Sequence, residues 1–207
     1  THLSGTGIGD LFDITLMPVV GAVRYSRGEE PKDSTPEAIA AAQATGMWSY
    51  ADRTREVARP GYYSVPLTRY GITAEMTATT RVGVHEYSFP KGVDGQVILD
   101  LIHGIYNYDG KTLWAEVQVR NDTLLTGYRI TNGWARTNYT YFAISFSQPI
   151  SEYGYADREK INYKGGWSKF DQYHNFPAMA GRKLVAWFKF ATSRNPELTV
   201  KVALSAT

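Results

Sequence analysis

The sequence predicts an all-β domain, an antiparallel two-sheet β-sandwich with one short helix excursion and a long aromatic loop. Three observations lead there. Apolar and polar residues alternate with a period of two through most of the chain, the pattern of half-buried strands. Polar dipeptides with Asn, Asp or Gly separate successive runs, where a residue at positive φ closes a tight turn. The chain has 207 residues, 43% of them hydrophobic and 14% aromatic. That is enough for one sizeable core, so residues 1–207 read as a single domain.

The first ten residues, Thr1-His2-Leu3-Ser4-Gly5-Thr6-Gly7-Ile8-Gly9-Asp10, make a glycine-rich turn carrying a His, hydroxyls and an acid. Small residues at this spacing let a ligand approach backbone N–H groups, and the hydroxyls add donors. The alternative is a loop whose glycines only satisfy positive φ. It is not a phosphate loop, because no Gly-Lys-Ser/Thr ending and no helix follow. Ser34-Thr35-Pro36-Glu37 then supplies a cap, a first-turn proline and an early acid before an alanine-rich run, which predicts a short helix ending near Gly46. Its face buries little area, so it is expected at the surface.

Ile72 to Phe89 alternates most clearly and reads as one strand bent at Gly83, with Arg81 and His85 on its polar face. Further strands are expected at Gln96–Ile102, Thr112–Arg120, Leu124–Thr131, Tyr139–Ser147, Lys183–Phe190 and Leu198–Ser205. Turns fall at Asp94-Gly95, Asp109-Gly110 and Asn121-Asp122. Two packed sheets follow, since a single sheet leaves one apolar face in water. Residues 151–180 are read as an irregular aromatic loop with Trp167 and Tyr173, of the kind that covers something. Trp114, Trp134 and Trp187, on or beside strands, are expected in the core.

Composition excludes several functions. Lys and Arg number 22 against 20 Asp and Glu, and no basic run tracks a phosphate backbone, so nucleic acid is not an expected partner. Without cysteine there is no disulfide framework, thiolate metal site or cysteine nucleophile. No apolar stretch approaches the roughly 20 residues of a membrane span. Ser4 lacks the strand–turn–helix setting of a hydrolase nucleophile. The four histidines, His2, His85, His103 and His174, show no close zinc-type pairing. Asp10 is the polar-contact candidate beside the glycine turn, and Asp13 is read as structural.

Three stretches, taken together, resemble the amino-terminal region of glycoside hydrolase family 92. They are His2-Leu3-Ser4-Gly5-Thr6-Gly7 with Gly9-Asp10, Pro60-Gly61-Tyr62-Tyr63, and Thr77-Ala78-Thr79-Thr80-Arg81-Val82-Gly83-Val84-His85. Gly133-Trp134-Ala135, Tyr141-Phe142 and Phe146-Ser147 extend the similarity. The resemblance implies the β-sandwich of an inverting, calcium-dependent α-mannosidase that removes terminal α-linked mannose from glycans. It implies that the catalytic carboxylates sit on a helical barrel later in the same polypeptide, so this chain, a fragment truncated at both ends, is expected to be inactive alone. Catalytic residues and calcium ligands are therefore not assigned here, and the fragment is not expected to bind calcium fully. His2, Ser4, Gly5, Thr6 and Gly7 carry over as sugar-pocket positions, with Asp10 beside them. Expected partners are a mannose-containing glycan and the barrel, and the expected location is the periplasm or surface of a bacterium. The alternative is a stand-alone carbohydrate-binding module using Trp167 and Tyr173.

Overall fold

Strands form where β-branched and aromatic residues carry the period-two pattern. The computed structural model describes residues 14–103, 108–133, 135–157 and 175–206. Within them the chain runs through β1 (Thr15–Val20), helix α1 (Pro36–Gln43), a 3-10 turn (Arg53–Arg55), β2 (Val57–Arg59), β3 (Tyr62–Leu67), β4 (Ile72–Ala78) and β5 (Val82–Ser88). It continues through β6 (Gly95–Asp100), β7 (Thr112–Asn121), β8 (Leu124–Thr131), β9 (Asn138–Phe146) and β10 (Ile150–Asp157). It ends with β11 (Ala178–Gly181), β12 (Leu184–Phe190) and β13 (Glu197–Ser205). The strands make two sheets, β1-β6-β12-β10 and β11-β7-β8-β9-β13-β5-β4-β3-β2. Every described pairing between strands is antiparallel.

The core lies between the sheets. Val97, Leu99, Phe188 and Phe190 meet Leu125, Ile144, Val200 and Val202, all solvent-free. Phe146 of β9 reaches Phe190 and Phe188 across the gap, with ring centroids 4.8 and 6.0 Å apart. Helix α1 behaves as a surface excursion, with Ala42 its one buried residue. Its cap is Thr35 rather than Ser34: the Thr35 hydroxyl oxygen accepts from the Ala38 N–H at 3.3 Å. No described helix is long and apolar enough to cross a membrane.

The expected Ile72–Phe89 strand is instead a hairpin. β4 and β5 pair in register from Thr73–Ser88 to Ala78–Gly83, and Thr79 turns the chain by exchanging hydrogen bonds with Val82. Only a turn at residues 79–81 lets both runs bury the same face. Asp94-Gly95 and Asp109-Gly110 flank β6 at crossings between sheets, not within hairpins, since β6 belongs to the small sheet and both β5 and β7 to the large one. Gly95 is a buried strand residue whose missing Cβ makes room for the Phe89 ring. The expected β7–β8 hairpin is present, its turn closed by Asn121 Oδ1 accepting from the Thr123 N–H at 2.9 Å.

β1 and β3 carry prolines, which obscure a strand pattern. Pro18 is tolerated because β1 is a sheet edge, and Pro66 lies past the Val57–Arg59 stretch that pairs with β3. β10 and β11 occupy the ends of the segment read as wholly irregular.

Gly127 of β8 marks a tight point of the large sheet. A Cβ there would lie 2.2 Å from the Glu116 carbonyl oxygen and 2.5 Å from the Phe142 ring. The backbone atom cannot move without breaking the β7–β8 ladder. Gly127→Ala is expected to cost about 1–3 kcal/mol, seen as a lower urea midpoint at unchanged slope.

Candidate functional site

The strand registers of the small sheet bring several chain segments to one end. Thr15 faces Asp100, Asp100 faces Val185, and Leu184 faces Asp157. The start of β1, the end of β6, the start of β12 and the end of β10 therefore lie side by side. In the sequence, the His2–Asp10 turn precedes β1 and the Trp167 segment follows β10.

A buried polar cluster is built at this end. Asp100 closes β6 almost solvent-free, and its Oδ1 accepts from the N–H groups of Ile102 at 2.8 Å and His103 at 3.1 Å. Its Oδ2 pairs with His103 Nδ1. Burial opposes ionisation of Asp100, but the His103 ring and the two amides together outweigh it and hold the carboxyl below its ordinary value. With Nδ1 engaged, Nε2 is the ring nitrogen left for another partner.

Arg129 secures this corner from the opposite sheet. It sits on the inward face of β8 with no solvent exposure. Its Nη2 donates to the Ile102 carbonyl at 2.7 Å and to Thr112 Oγ1 at 2.8 Å, and its Nε reaches the same hydroxyl at 3.3 Å. The guanidinium thus spans the sandwich and fixes the segment that presents His103.

Beside the cluster is a cavity of about 360 Å³, bordered by His103, Tyr108, Lys111, Thr112, Arg182 and Lys183. Lys111 is buried, with its Nζ 5.3 Å from the centroid of the Tyr108 ring. The Tyr108 hydroxyl donates to the Asn132 carbonyl at 2.7 Å. Lys183 pairs loosely with exposed Asp109 at 3.7 Å, a contact that holds little at the surface. Three cations, an imidazole and hydroxyls suit an oxygen-rich ligand. Asp109 is the one acid among the described lining residues, whereas inverting glycoside hydrolysis takes two carboxyl groups.

His2, Ser4, Gly5, Thr6, Gly7 and Asp10 lie outside the described residues, as do Trp134, Trp167, Tyr173 and His174. Among the expected core tryptophans, Trp114 is 41% exposed, because a bulge between Thr112 and Trp114 turns it outward, and Trp187 is half-buried. Arg81 is exposed in the β4–β5 turn. His85 is buried instead of sharing a polar face, its Nδ1 2.8 Å from the Tyr87 hydroxyl. Among the described residues no three acidic or histidine side chains gather as a metal site, so none is assigned to calcium. Asp100, His103 and Arg129 were not singled out as a cluster by sequence. Two signals mark them: an acid ending the buried run Val97-Ile98-Leu99, and an arginine in phase with inward Leu125 and Thr131.

The structure is thus a two-sheet all-β sandwich whose polar groups collect at one end, on loops and strand termini. The family model of the glycosyl hydrolase family 92 N-terminal domain matches residues 1–205. The chain belongs to this family. It is 30% identical to a family GH92 alpha-mannosidase from Bacteroides thetaiotaomicron solved in complex with mannoimidazole, with a TM-score of 0.75 over 100% of this chain and 25% of that one. A family GH92 inverting mannosidase from Bacteroides thetaiotaomicron VPI-5482 shares the fold at 24% identity and a TM-score of 0.65, covering 92% of this chain and 21% of its own. The chain spans about a quarter of the length of these solved relatives. No curated protein matches.

Proposed function

We propose that this chain is the supporting sandwich of an inverting, calcium-dependent α-mannosidase that removes terminal α-linked mannose from glycans outside the bacterial cytoplasm. The match over residues 1–205 carries this reading, and the quarter-length coverage supports a larger catalytic part elsewhere in the polypeptide. The chain docks to a helical barrel that holds the catalytic carboxylates. It contributes His2, Ser4, Gly5, Thr6, Gly7 and Asp10 to the sugar pocket. The cavity at His103 lies at the end where β1, the strand that follows this turn, begins. Calcium belongs to the whole enzyme, and no described residue here is assigned to it.

The test is hydrolysis of α-mannobiose by this chain and by the full-length gene product, each with calcium and with chelator. Activity is expected only in the calcium-loaded full-length enzyme. Turnover by the isolated chain would place the carboxylates within it and overturn the assignment. In the full-length product, His2→Ala is expected to weaken turnover or affinity; unchanged values would return the glycine turn to a purely structural role.

A further inference from the structure

The outer face of the large sheet carries a second group of side chains, on the opposite side of β7 and β8 from the inward-facing Arg129. Alternation along β7, β8 and β9 points Glu116 and Gln118, then Thr126 and Tyr128, then Tyr139 and Tyr141 away from the core. Cross-strand pairing lays them out in rows. Trp114, Ile130 and Tyr139 form one row, and Glu116, Tyr128 and Tyr141 the next. The Tyr139 and Tyr141 rings stack with centroids 6.0 Å apart and planes inclined by 13°, and Tyr128 leans on Tyr141 at 6.0 Å. Tyr139 is 45% exposed and Tyr141 40%.

Polar groups stand beside the rings. Glu116 accepts from the Tyr128 hydroxyl at 3.2 Å and from Gln118 Nε2 at 2.5 Å, and Arg120 Nε donates to Thr126 Oγ1 at 2.7 Å. A groove of about 350 Å³ runs between Tyr128, Tyr141 and these groups. Its size falls within the roughly 300–1,000 Å³ of small-ligand sites. Exposed ring faces offer apolar contact to the C–H face of a pyranose, while a carboxylate, an amide and a guanidinium offer paired acceptors and donors to adjacent hydroxyls.

A protein partner fits this face less well. A stable protein interface takes about 800 Å² per partner around an apolar centre. Here the neighbouring strands β13, β5 and β4 intersperse Thr199, Lys201, Glu86, Glu75 and Thr77 with Ala203, Val82 and Val84 on the same side, so charged and polar groups break up the apolar area beyond β9.

We propose that the β7–β8–β9 outer face is an accessory saccharide site that seats a neutral hexose on Tyr141, beside Tyr128, with its hydroxyls bonded to Glu116, Gln118 and Arg120. The site stands on these side chains alone and does not depend on the mannosidase assignment.

The experiment uses the 207-residue chain, with α-mannobiose and cellobiose as probes, read by saturation-transfer NMR and titration. Saturable binding of at least one probe is expected. It should weaken about tenfold or more in Tyr128→Ala and Tyr141→Ala and be retained in Tyr141→Phe, which keeps the ring. Circular dichroism of each variant separates loss of the site from loss of fold. No binding of either probe, or alanine variants that bind like the parent, overturns the proposal. So does binding by the chain that vanishes in the full-length product, which would mean that another part of the polypeptide covers this face. Because turnover is not the readout, this site and the catalytic assignment fail independently.

Discussion

Replacing Arg129 by alanine is expected to lower the unfolding free energy by about 3–5 kcal/mol, from the loss of buried volume and of buried hydrogen bonds together. Donor contacts to the Ile102 and His103 carbonyls and, twice, to Thr112 end at once. The Ile102 carbonyl loses its closer donor in a corner where Asp100 and Thr112 are also buried. Arg129→Met separates the terms: it keeps much of the stem's packing while removing the bonds, so it should recover part of the loss. Urea unfolding monitored by tryptophan fluorescence gives both values. An alanine variant within about 1 kcal/mol of the parent would show that the guanidinium is not the brace between the sheets.

The second large effect is on pH. His85 is buried against Tyr87, and burial depresses its pKa from 6.5 to about 4. The imidazole is thus neutral in the folded chain near pH 5, whereas in the unfolded chain it is already charged. The sign follows: this contribution to stability is complete above about pH 6.5, declines as pH falls, and is gone below about pH 4. At about 1.4 kcal/mol per pH unit the loss across that window is roughly 3 kcal/mol. His85→Gln keeps an acceptor for the Tyr87 hydroxyl but cannot titrate. Its stability should be nearly flat between pH 6.5 and 4, apart from the carboxylates. Asp100 acts lower: its depressed pKa gives stability that is lost only as pH falls through the acid range. Parallel slopes for the parent and His85→Gln would remove His85 as the cause.

Much of the sandwich was legible because alternation survives in strands with one buried face. β8 runs over the span the pattern predicts, and β7, β9, β12 and β13 shift by only a residue or so at their ends. Other elements hid for identifiable reasons. Pro18 and Pro66 broke the patterns of β1 and β3, and continuous alternation through 72–89 concealed a turn made by side chains rather than glycine. Asp-Gly signals marked turns correctly at the level of the chain direction but could not tell a hairpin from a crossing between sheets. That choice depends on which face the next strand buries, as the packing of Phe89 over Gly95 illustrates. The site was harder to read. Asp100 and His103 are close in sequence, but Arg129 joins them only because β8 lies across the core from β6. Family resemblance pointed to the glycine turn; the signals that mark the corner, an acid ending a buried run and an arginine in phase with inward residues, do not by themselves show that the two meet.

The position of β13 has a consequence for how the domain is made. β2 to β5 form one meander and β7 to β9 another, and both could assemble from neighbouring segments soon after synthesis. They join only through β13, which pairs with β5 on one side and β9 on the other. Until residues 197–205 emerge, each meander presents an open strand edge, the kind of edge through which nascent chains pair with the wrong neighbour. Closing the gap needs contacts between residues more than a hundred positions apart, such as Thr199 with Glu86, and contacts of that range slow folding. The ribosome thus delivers the keystone only after both meanders, and the exposure time of the two edges is set by translation as well as by the chain's own collapse.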